Sequence, residues 1–176
     1  MTPKIARFLA ERQPATPCLV LDVDRVEENF RTLQRALPLA RIDYAVKANP
    51  AEPGRLIVGD AGIVSAEVVL VSRKAKDDPV CWVYRDIGRF GGLAETEGET
   101  ITYRIATPHD GAAAGPVAIA GPTCDGADIL YEKSNDRLPL ALSCGDRVEL
   151  LSAGAYVTTY ASQGFNGFPP MAEYDV

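Results

Sequence analysis

The sequence predicts an α+β protein that is mainly β, in which a β-barrel or sandwich follows a short strand–helix–strand opening. Beyond residue 55, β-rich runs recur between clusters of Gly, Pro and Asp, which is typical of an antiparallel sandwich or barrel. Before residue 50, apolar residues are spaced as in a strand, then a helix, then a strand, which is typical of a βα unit. We therefore expect two parts, residues 1–50 and residues 51–176.

The composition excludes several classes of protein. Of the 176 residues, 47% are hydrophobic and 24% are charged, which is typical of a globular protein rather than a disordered chain. A net charge of −6 provides no basic surface for nucleic acid. No apolar run is long enough to span a membrane, and the N-terminus lacks a secretory apolar core. These features predict a cytoplasmic protein.

The cysteine and histidine content argues against a structural zinc site. The four cysteines are widely spaced, without a CxxC pair, and His109 is the only histidine. We expect four free thiols, most of them buried, with Cys124 exposed because it follows a Gly-Pro-Thr turn. His109 lies between Pro108 and Asp110, a polar turn context that predicts an exposed side chain.

The first part of the chain contains two predicted helices. Residues 5, 8 and 9 place apolar side chains on one face of an N-terminal helix that ends before Pro14. Residues 16–21 are predicted to form a strand, and Asp22 or Asp24 can cap the helix that follows. In that helix, apolar residues at 26, 30, 33 and 37 recur at spacings of four, three and four. Alternation at 42, 44 and 46 then predicts a strand that ends at Lys47.

The second part contains most of the predicted strands. A turn or bulge at residues 59–62 separates Leu56-Ile57-Val58 from a long β-rich run. Residues 107–116, rich in Ala and Gly, are predicted to be an exposed hairpin loop. The predicted strands are residues 63–71, 81–86, 101–105, 117–120, 147–151 and 155–160.

A lysine at the end of a strand favours a βα barrel, because barrel chemistry lies at the C-terminal ends of the strands. A complete barrel needs about 250 residues. The sequence changes character directly after Pro50, so the chain holds only a remnant βα unit of such a barrel.

Several segments carry a resemblance to a known family. They are PCLVLDVDRVEENFRTLQRALP, YAVKANP, EPGR, VGDAG, WVYRDIGRFGGL, GPTCDGAD, GDRVELLSAGAYVTTY and FNGF. In this combination the sequence resembles the ornithine/lysine/arginine decarboxylases, pyridoxal-phosphate enzymes of fold type III with an alanine-racemase-like barrel. The resemblance implies that residues 53–176 form the family's Greek-key β-domain, that the strand at 18–21 joins it, and that most of the barrel is missing between residues 50 and 52.

The resemblance also implies a set of cofactor-binding residues. Lys47 is catalytic and would hold pyridoxal 5'-phosphate covalently, since a lysine amine reacts with an aldehyde. Glu52 would lie beside the ring nitrogen, and Arg55 and Tyr156 would bind the phosphate. The family's ring-stacking histidine and glycine-rich phosphate loop have no counterpart here. From the residues alone, Lys47 reads equally as a solvated lysine at a strand end, and EPGR as a charged turn.

The resemblance assigns the substrate side to residues of the β-domain. Cys124 would donate a proton to the carbon that loses carbon dioxide. Asp86 and Asp125 would bind the far amino group of a diamino acid, and Phe165 would border the pocket. Without the resemblance, Cys124 reads as a small hydrophobic residue and the aspartates as turn residues.

Three functions stay open at this point. The first is decarboxylation of ornithine or lysine to a diamine in polyamine biosynthesis, by a homodimer with a shared site. The second is a non-catalytic dimerisation or regulatory protein that pairs with itself or with a full-length relative. The third is an inactive truncated product.

Overall fold

The computed structural model describes residues 1–39 and 53–176, except the side chains of residues 53–55. The predicted strand that ends at Lys47 lies outside these residues. The described helices are α1 (Pro3–Arg12), α2 (Val23–Ala36) and α3 (Pro53–Val58). The described strands are β1 (Cys18–Leu21), β2 (Gly62–Ser72), β3 (Cys81–Arg85), β4 (Arg104–Ala106), β5 (Ala114–Ala120), β6 (Ile129–Tyr131), β7 (Arg137–Pro139), β8 (Arg147–Leu151) and β9 (Ala172–Asp175).

The strands form one branched, curled sheet, which confirms the mainly β fold. Its main path runs β4-β8-β2-β3-β5-β6, while β1 and β7 branch from β2 and β5, and β9 pairs with β1. The long strand β2 is central, since its first half pairs with β1 and β8 and its second half pairs with β3. A register shift between Val68 and Leu70 accompanies the pairing with β3.

The alternation of side chains along the strands separates two apolar layers. Val64, Ala66 and Val68 of β2 face the interior of the curled sheet, where they meet apolar residues of β3, β5 and β8. Ile63 faces the opposite side, where Ile5 of α1 packs against β1. This packing confirms that the strand at 18–21 joins the β-domain.

The helix predictions agree with the structure where it describes them. α1 begins after Thr2, whose hydroxyl accepts a hydrogen bond from the Ile5 amide, and it ends before Pro14. Of the two residues predicted to cap α2, Asp22 is the N-cap, and its side chain accepts a hydrogen bond from the Arg25 amide at 3.3 Å. Leu56-Ile57-Val58 forms the end of α3, a helix that no sequence pattern predicted.

Two predicted strands differ from the structure for identifiable reasons. The strand predicted at 155–160 is wrong: Tyr156 has φ 57, and residues 158–160 form a 3-10 helix. Just before it, the Gly154 amide donates to the Gly59 carbonyl at 3.0 Å, so the chain turns away from the sheet. The strand predicted at 101–105 is observed at Arg104–Ala106, because the Tyr103 amide donates to the Tyr131 hydroxyl instead of a neighbouring strand.

Three predictions about loops and thiols need correction. Residues 107–116 do not form a hairpin loop, because β5 begins at Ala114 and β4 pairs with β8. The His109 ring is only one-third exposed, since its Nε2 lies 2.9 Å from an Asp146 carboxylate oxygen. Of the cysteines, only Cys18 is buried, while Cys124 is exposed as predicted.

The described residues contain no helix with the length and apolar character needed to cross a membrane. Within the same residues, no three acidic, histidine or cysteine side chains come together as a candidate metal site.

Candidate functional site

A cavity of about 350 Å³ lies where four segments meet beside the sheet. Its walls come from the loop after β3, the loop after β5 and residues 158–173, and Thr16 and Pro17 close one side. Phe90 and Phe165 both line the cavity, and their rings stack on each other with centroids 4.0 Å apart and planes inclined by 14°. The cavity is therefore mainly apolar, with a flat aromatic surface.

Asp86 gives this apolar cavity a carboxylate. It follows β3, where its amide donates to the Glu67 carbonyl at 3.0 Å and its Oδ1 accepts from the Glu67 amide at 2.9 Å. Burial raises the pKa of the Asp86 carboxyl group, partly opposed by a hydrogen bond from Thr16. A cation bound beside Asp86 would favour the ionised carboxylate.

The charges around the cavity suit a cationic ligand. Among the described lining residues, Asp86 and Glu173 carry negative charge, and none is a lysine or arginine. This lining fits an ammonium group and does not fit a phosphate, so a cofactor phosphate would need groups from elsewhere in the chain.

Cys124 and Asp125 lie in the loop after β5, beside the cavity rather than in its lining. Cys124 is exposed with φ 58, and Asp125 accepts a hydrogen bond from the Ala127 amide at 2.8 Å. The preceding residue, Thr123, does line the cavity. The Asn166 side chain donates to the Thr123 carbonyl at 2.9 Å, which joins this loop to the segment that carries Phe165.

Sequence reasoning missed Asp128, which organises this loop. Its carboxylate is buried and accepts from the Thr123 amide at 3.1 Å, the Thr123 hydroxyl at 2.7 Å and the Arg89 amide at 2.7 Å. The available signal was the second aspartate of GPTCDGAD, set among turn residues whose amides need an acceptor.

Arg85 was also missed, and it is the most unusual charged group of the described chain. Only 1% of the residue is exposed, and its three guanidinium nitrogens have no hydrogen-bond partner among the described residues. Burial lowers the pKa of Arg85 to about 10, while Tyr131, Asp86 and Asp128 act in the opposite direction. The side chain therefore stays charged at neutral pH in an apolar interior.

The residues predicted to bind the cofactor are only partly described. Lys47 and Glu52 lie outside the described residues, and Arg55 belongs to α3 with its side chain outside the description. Tyr156 is half-buried and lies two residues before Thr158, which lines the cavity. Asp86 and Phe165 thus share one cavity, and Cys124 and Asp125 lie in an adjoining loop.

Comparisons with known proteins agree with this architecture. Residues 18–154 match the family described as "Pyridoxal-dependent decarboxylase, C-terminal sheet domain". A lysine/ornithine decarboxylase of Selenomonas ruminantium is 48% identical over 50 residues, which are 28% of this chain and 12% of that protein. A diaminopimelate decarboxylase of Helicobacter pylori is 30% identical over 122 residues, 69% of this chain and 29% of that protein.

Solved structures show the same fold. The Vibrio vulnificus lysine/ornithine decarboxylase complexed with cadaverine superposes with a TM-score of 0.60 at 29% identity, covering 69% of this chain and 32% of that chain. The Paramecium bursaria Chlorella virus arginine decarboxylase gives a TM-score of 0.61 at 26% identity, covering 71% and 33%.

The chain thus spans a third or less of the relatives that it matches. The match to residues 18–154 nevertheless includes most of its sequence, from β1 to the turn after β8. The chain belongs to the pyridoxal-dependent decarboxylase family, and its described fold is that of the family's C-terminal sheet domain.

Proposed function

We propose that the chain acts in the pyridoxal-phosphate-dependent decarboxylation of a diamino acid, ornithine or lysine, which yields putrescine or cadaverine for polyamine biosynthesis in the cytoplasm. The observation that carries the proposal is the apolar cavity with the Asp86 carboxylate, beside the loop of Cys124 and Asp125. A linear diamino acid has the matching chemistry, since its methylene chain is apolar and its far end is an ammonium group.

Each group of the cavity then has a role in binding. Asp86 would bind the far ammonium group, with Asp125 of the adjoining loop as a second carboxylate. The stacked ring of Phe165 would pack against the methylene chain and exclude water from the ion pair. Because Asp86 is partly shielded from water, its ion pair with an ammonium group would be screened less than a pair at an exposed carboxylate.

Pyridoxal phosphate would supply the electron sink for loss of carbon dioxide. Lys47, Glu52, Arg55 and Tyr156 are the residues proposed to hold it. Cys124 would hold the proton delivered to the carbon that has lost carbon dioxide. Its exposed position leaves the thiol accessible to a neighbouring subunit, which agrees with a homodimer that shares its sites.

A related structure at 29% identity supports the ligand chemistry, since it contains pyridoxal phosphate and cadaverine. Titration calorimetry of this chain with putrescine and cadaverine tests the amine site. We expect binding that Asp86→Asn abolishes and that the exposed Asp77→Asn variant preserves. Equal affinities of both variants would contradict the role of Asp86.

The decarboxylase step needs its own experiment. The protein is incubated with pyridoxal phosphate, reduced with borohydride and digested, and mass spectrometry locates any pyridoxyl group. We expect labelling at Lys47 that is lost in Lys47→Ala, together with diamine release from ornithine or lysine. An unlabelled Lys47 and no diamine would refute catalysis by this chain.

A second candidate is a non-catalytic partner of a full-length decarboxylase. The observation in its favour is that the chain spans a third or less of its relatives while keeping the sheet domain. Co-expression with a full-length relative, followed by size-exclusion chromatography with light scattering, tests it. A mixed assembly without cofactor labelling would support this candidate, and a strictly monomeric chain would refute it.

A further inference from the structure

Two loops that carry proposed site residues meet at one buried carboxylate. We propose that Asp128 is a positioning residue that holds the loop of Cys124 against the loop of Asp86, so that the thiol and the amine-binding carboxylate keep a fixed relation. The importance of that relation rests on the proposed function. The positioning itself is a property of the chain and is testable without any ligand.

One oxygen of Asp128 fixes the loop that follows β5. Asp128 Oδ2 accepts from both the amide and the hydroxyl of Thr123, at 3.1 and 2.7 Å. The loop is further closed by its backbone, since the Gly121 amide donates to the Asp128 carbonyl at 2.8 Å and the Asp128 amide donates to the Asp125 carbonyl at 2.9 Å. Cys124, which adopts φ 58, directly follows Thr123, which donates both of these hydrogen bonds.

The other oxygen of Asp128 reaches the loop that follows β3. Asp128 Oδ1 accepts from the Arg89 amide at 2.7 Å, three residues after Asp86. The Arg89 side chain returns to the first loop by donating to the Ala127 carbonyl at 2.6 Å. The two loops are thus joined by hydrogen bonds in both directions.

Two glycines allow the carboxylate to sit between the loops. A Cβ atom on Gly88 would lie 2.0 Å from Asp128 Oδ1, and one on Gly121 would lie 2.3 Å from Oδ2. With only 2% of Asp128 exposed, water does not compete for these hydrogen bonds. A carboxylate is needed because both oxygens must accept, whereas an asparagine offers one accepting oxygen.

The chain contains a matched loop that serves as an internal control. Asp146 Oδ2 accepts from the amide and the hydroxyl of Ser143, at 2.8 and 3.2 Å, and the next residue is the exposed Cys144. In both loops the hydroxyl residue comes first, the cysteine follows it directly, and the accepting aspartate comes a few residues later. It lies outside the lining of the cavity.

The test compares Asp128→Asn with Asp146→Asn by amide hydrogen exchange and by the alkylation rates of both thiols. Because a hydrogen bond to a carboxylate contributes roughly 1.5–3 kcal/mol, we expect Asp128→Asn to accelerate exchange at Thr123 and Arg89 by at least about tenfold. The ratio of the Cys124 rate to the Cys144 rate should change in Asp128→Asn. The Asp146→Asn variant should change the alkylation rate of Cys144 and leave the rate of Cys124 as in the wild type.

A second pair of variants keeps the proposal testable if Asp128→Asn fails to fold. Thr123→Val removes the hydroxyl donor and should change the alkylation rate of Cys124. Thr123→Ser keeps the donor and should give the wild-type rate. Wild-type exchange at Thr123 and Arg89 in folded Asp128→Asn would overturn the proposal. Equal changes at Cys124 and Cys144 would also overturn it, because they would indicate global loosening.

Amine titration of the same variants separates this inference from the proposed function. If the wild type binds putrescine, Asp128→Asn should weaken binding although Asp86 is intact, and unchanged affinity would overturn the link between the loops. If the wild type binds no amine, the proposed function fails, and the exchange and alkylation results still decide the positioning role.

Discussion

Replacement of Arg85 by methionine should stabilise the protein. Arg85 is enclosed by the sheet with three nitrogens that have no partner among the described residues, so folding removes its hydration without replacing the lost hydrogen bonds. Methionine has a similar length and needs no partner, so it can occupy the same space in the apolar interior.

The size of the effect follows from the electrostatics of the buried guanidinium. Burial lowers the pKa of Arg85 to about 10, and the difference from the ordinary arginine value corresponds to about 3 kcal/mol of destabilisation while the group is charged. In a chain of this length, about 3 kcal/mol raises the Tm by roughly 6–12 °C. Charged Arg85 destabilises the protein at any pH below its pKa in the folded state, and the effect is relieved only above that pKa. The stability gained by Arg85→Met should therefore be equal at about pH 6 and about pH 8.

Urea unfolding and thermal melts of the wild type and Arg85→Met measure the change. Arg104→Met serves as a control, because Arg104 is an exposed residue of the sheet and its replacement should change the free energy of unfolding by about 0.5 kcal/mol or less. If Arg85→Met lowers the free energy of unfolding by 1 kcal/mol or more, the guanidinium has a favourable partner in the folded protein and the reasoning is refuted.

Three further predictions concern titration, packing and reactivity. Because burial raises the pKa of Asp86, the protonated carboxyl group stabilises the folded protein at a pH below the ordinary aspartate pKa. This stabilisation is lost as the pH rises through the pKa of Asp86 in the folded protein. Asp86→Asn should therefore gain stability relative to the wild type between about pH 4 and about pH 7 in urea unfolding, and a constant difference would contradict this. Gly121→Ala should lower the free energy of unfolding by about 2 kcal/mol, since its Cβ would lie 2.3 Å from Asp128. Gly126→Ala, with no neighbour within 4 Å, should be almost neutral, and equal effects of the two would count against the packing argument. Burial raises the pKa of Cys18 to about 11, so mass spectrometry after iodoacetamide treatment at neutral pH should find the exposed thiols labelled and Cys18 unlabelled. Rapid labelling of Cys18 would indicate that α1 detaches from the sheet.

Local sequence signals predicted the regular elements well. The spacing of apolar residues, with Asp22 or Asp24 as a cap, predicted α2, and short β-rich runs between turn residues predicted β3 and β8. Residues 155–160 have an equally β-rich sequence, but the close approach of Gly154 to Val58 and Gly59 turns the chain out of the sheet. Such a contact joins residues far apart in sequence, so no local pattern contains it.

The same limit applies to the candidate site. The family resemblance named Asp86 and Phe165, but their common cavity depends on how the loops after β3 and β5 pack with residues 158–173. Asp128 and Arg85 carry no distinctive local pattern, because their importance comes from burial rather than from their neighbours in sequence. The roles of Lys47, Glu52, Arg55 and Tyr156 stay predictions.

The position of β1 has a consequence for the order in which the chain folds. β1 is formed by residues 18–21, yet its parallel partner β9 is formed by residues 172–175, and β2 lies on its other side. On the ribosome, β1 and α1 can pack against β2 early. The other edge of β1 stays unpaired until β9, at residues 172–175, has been synthesised. Contacts between such distant residues slow folding because a long loop must close first. During synthesis, that open edge is where a nascent chain would be most exposed to pairing with another copy.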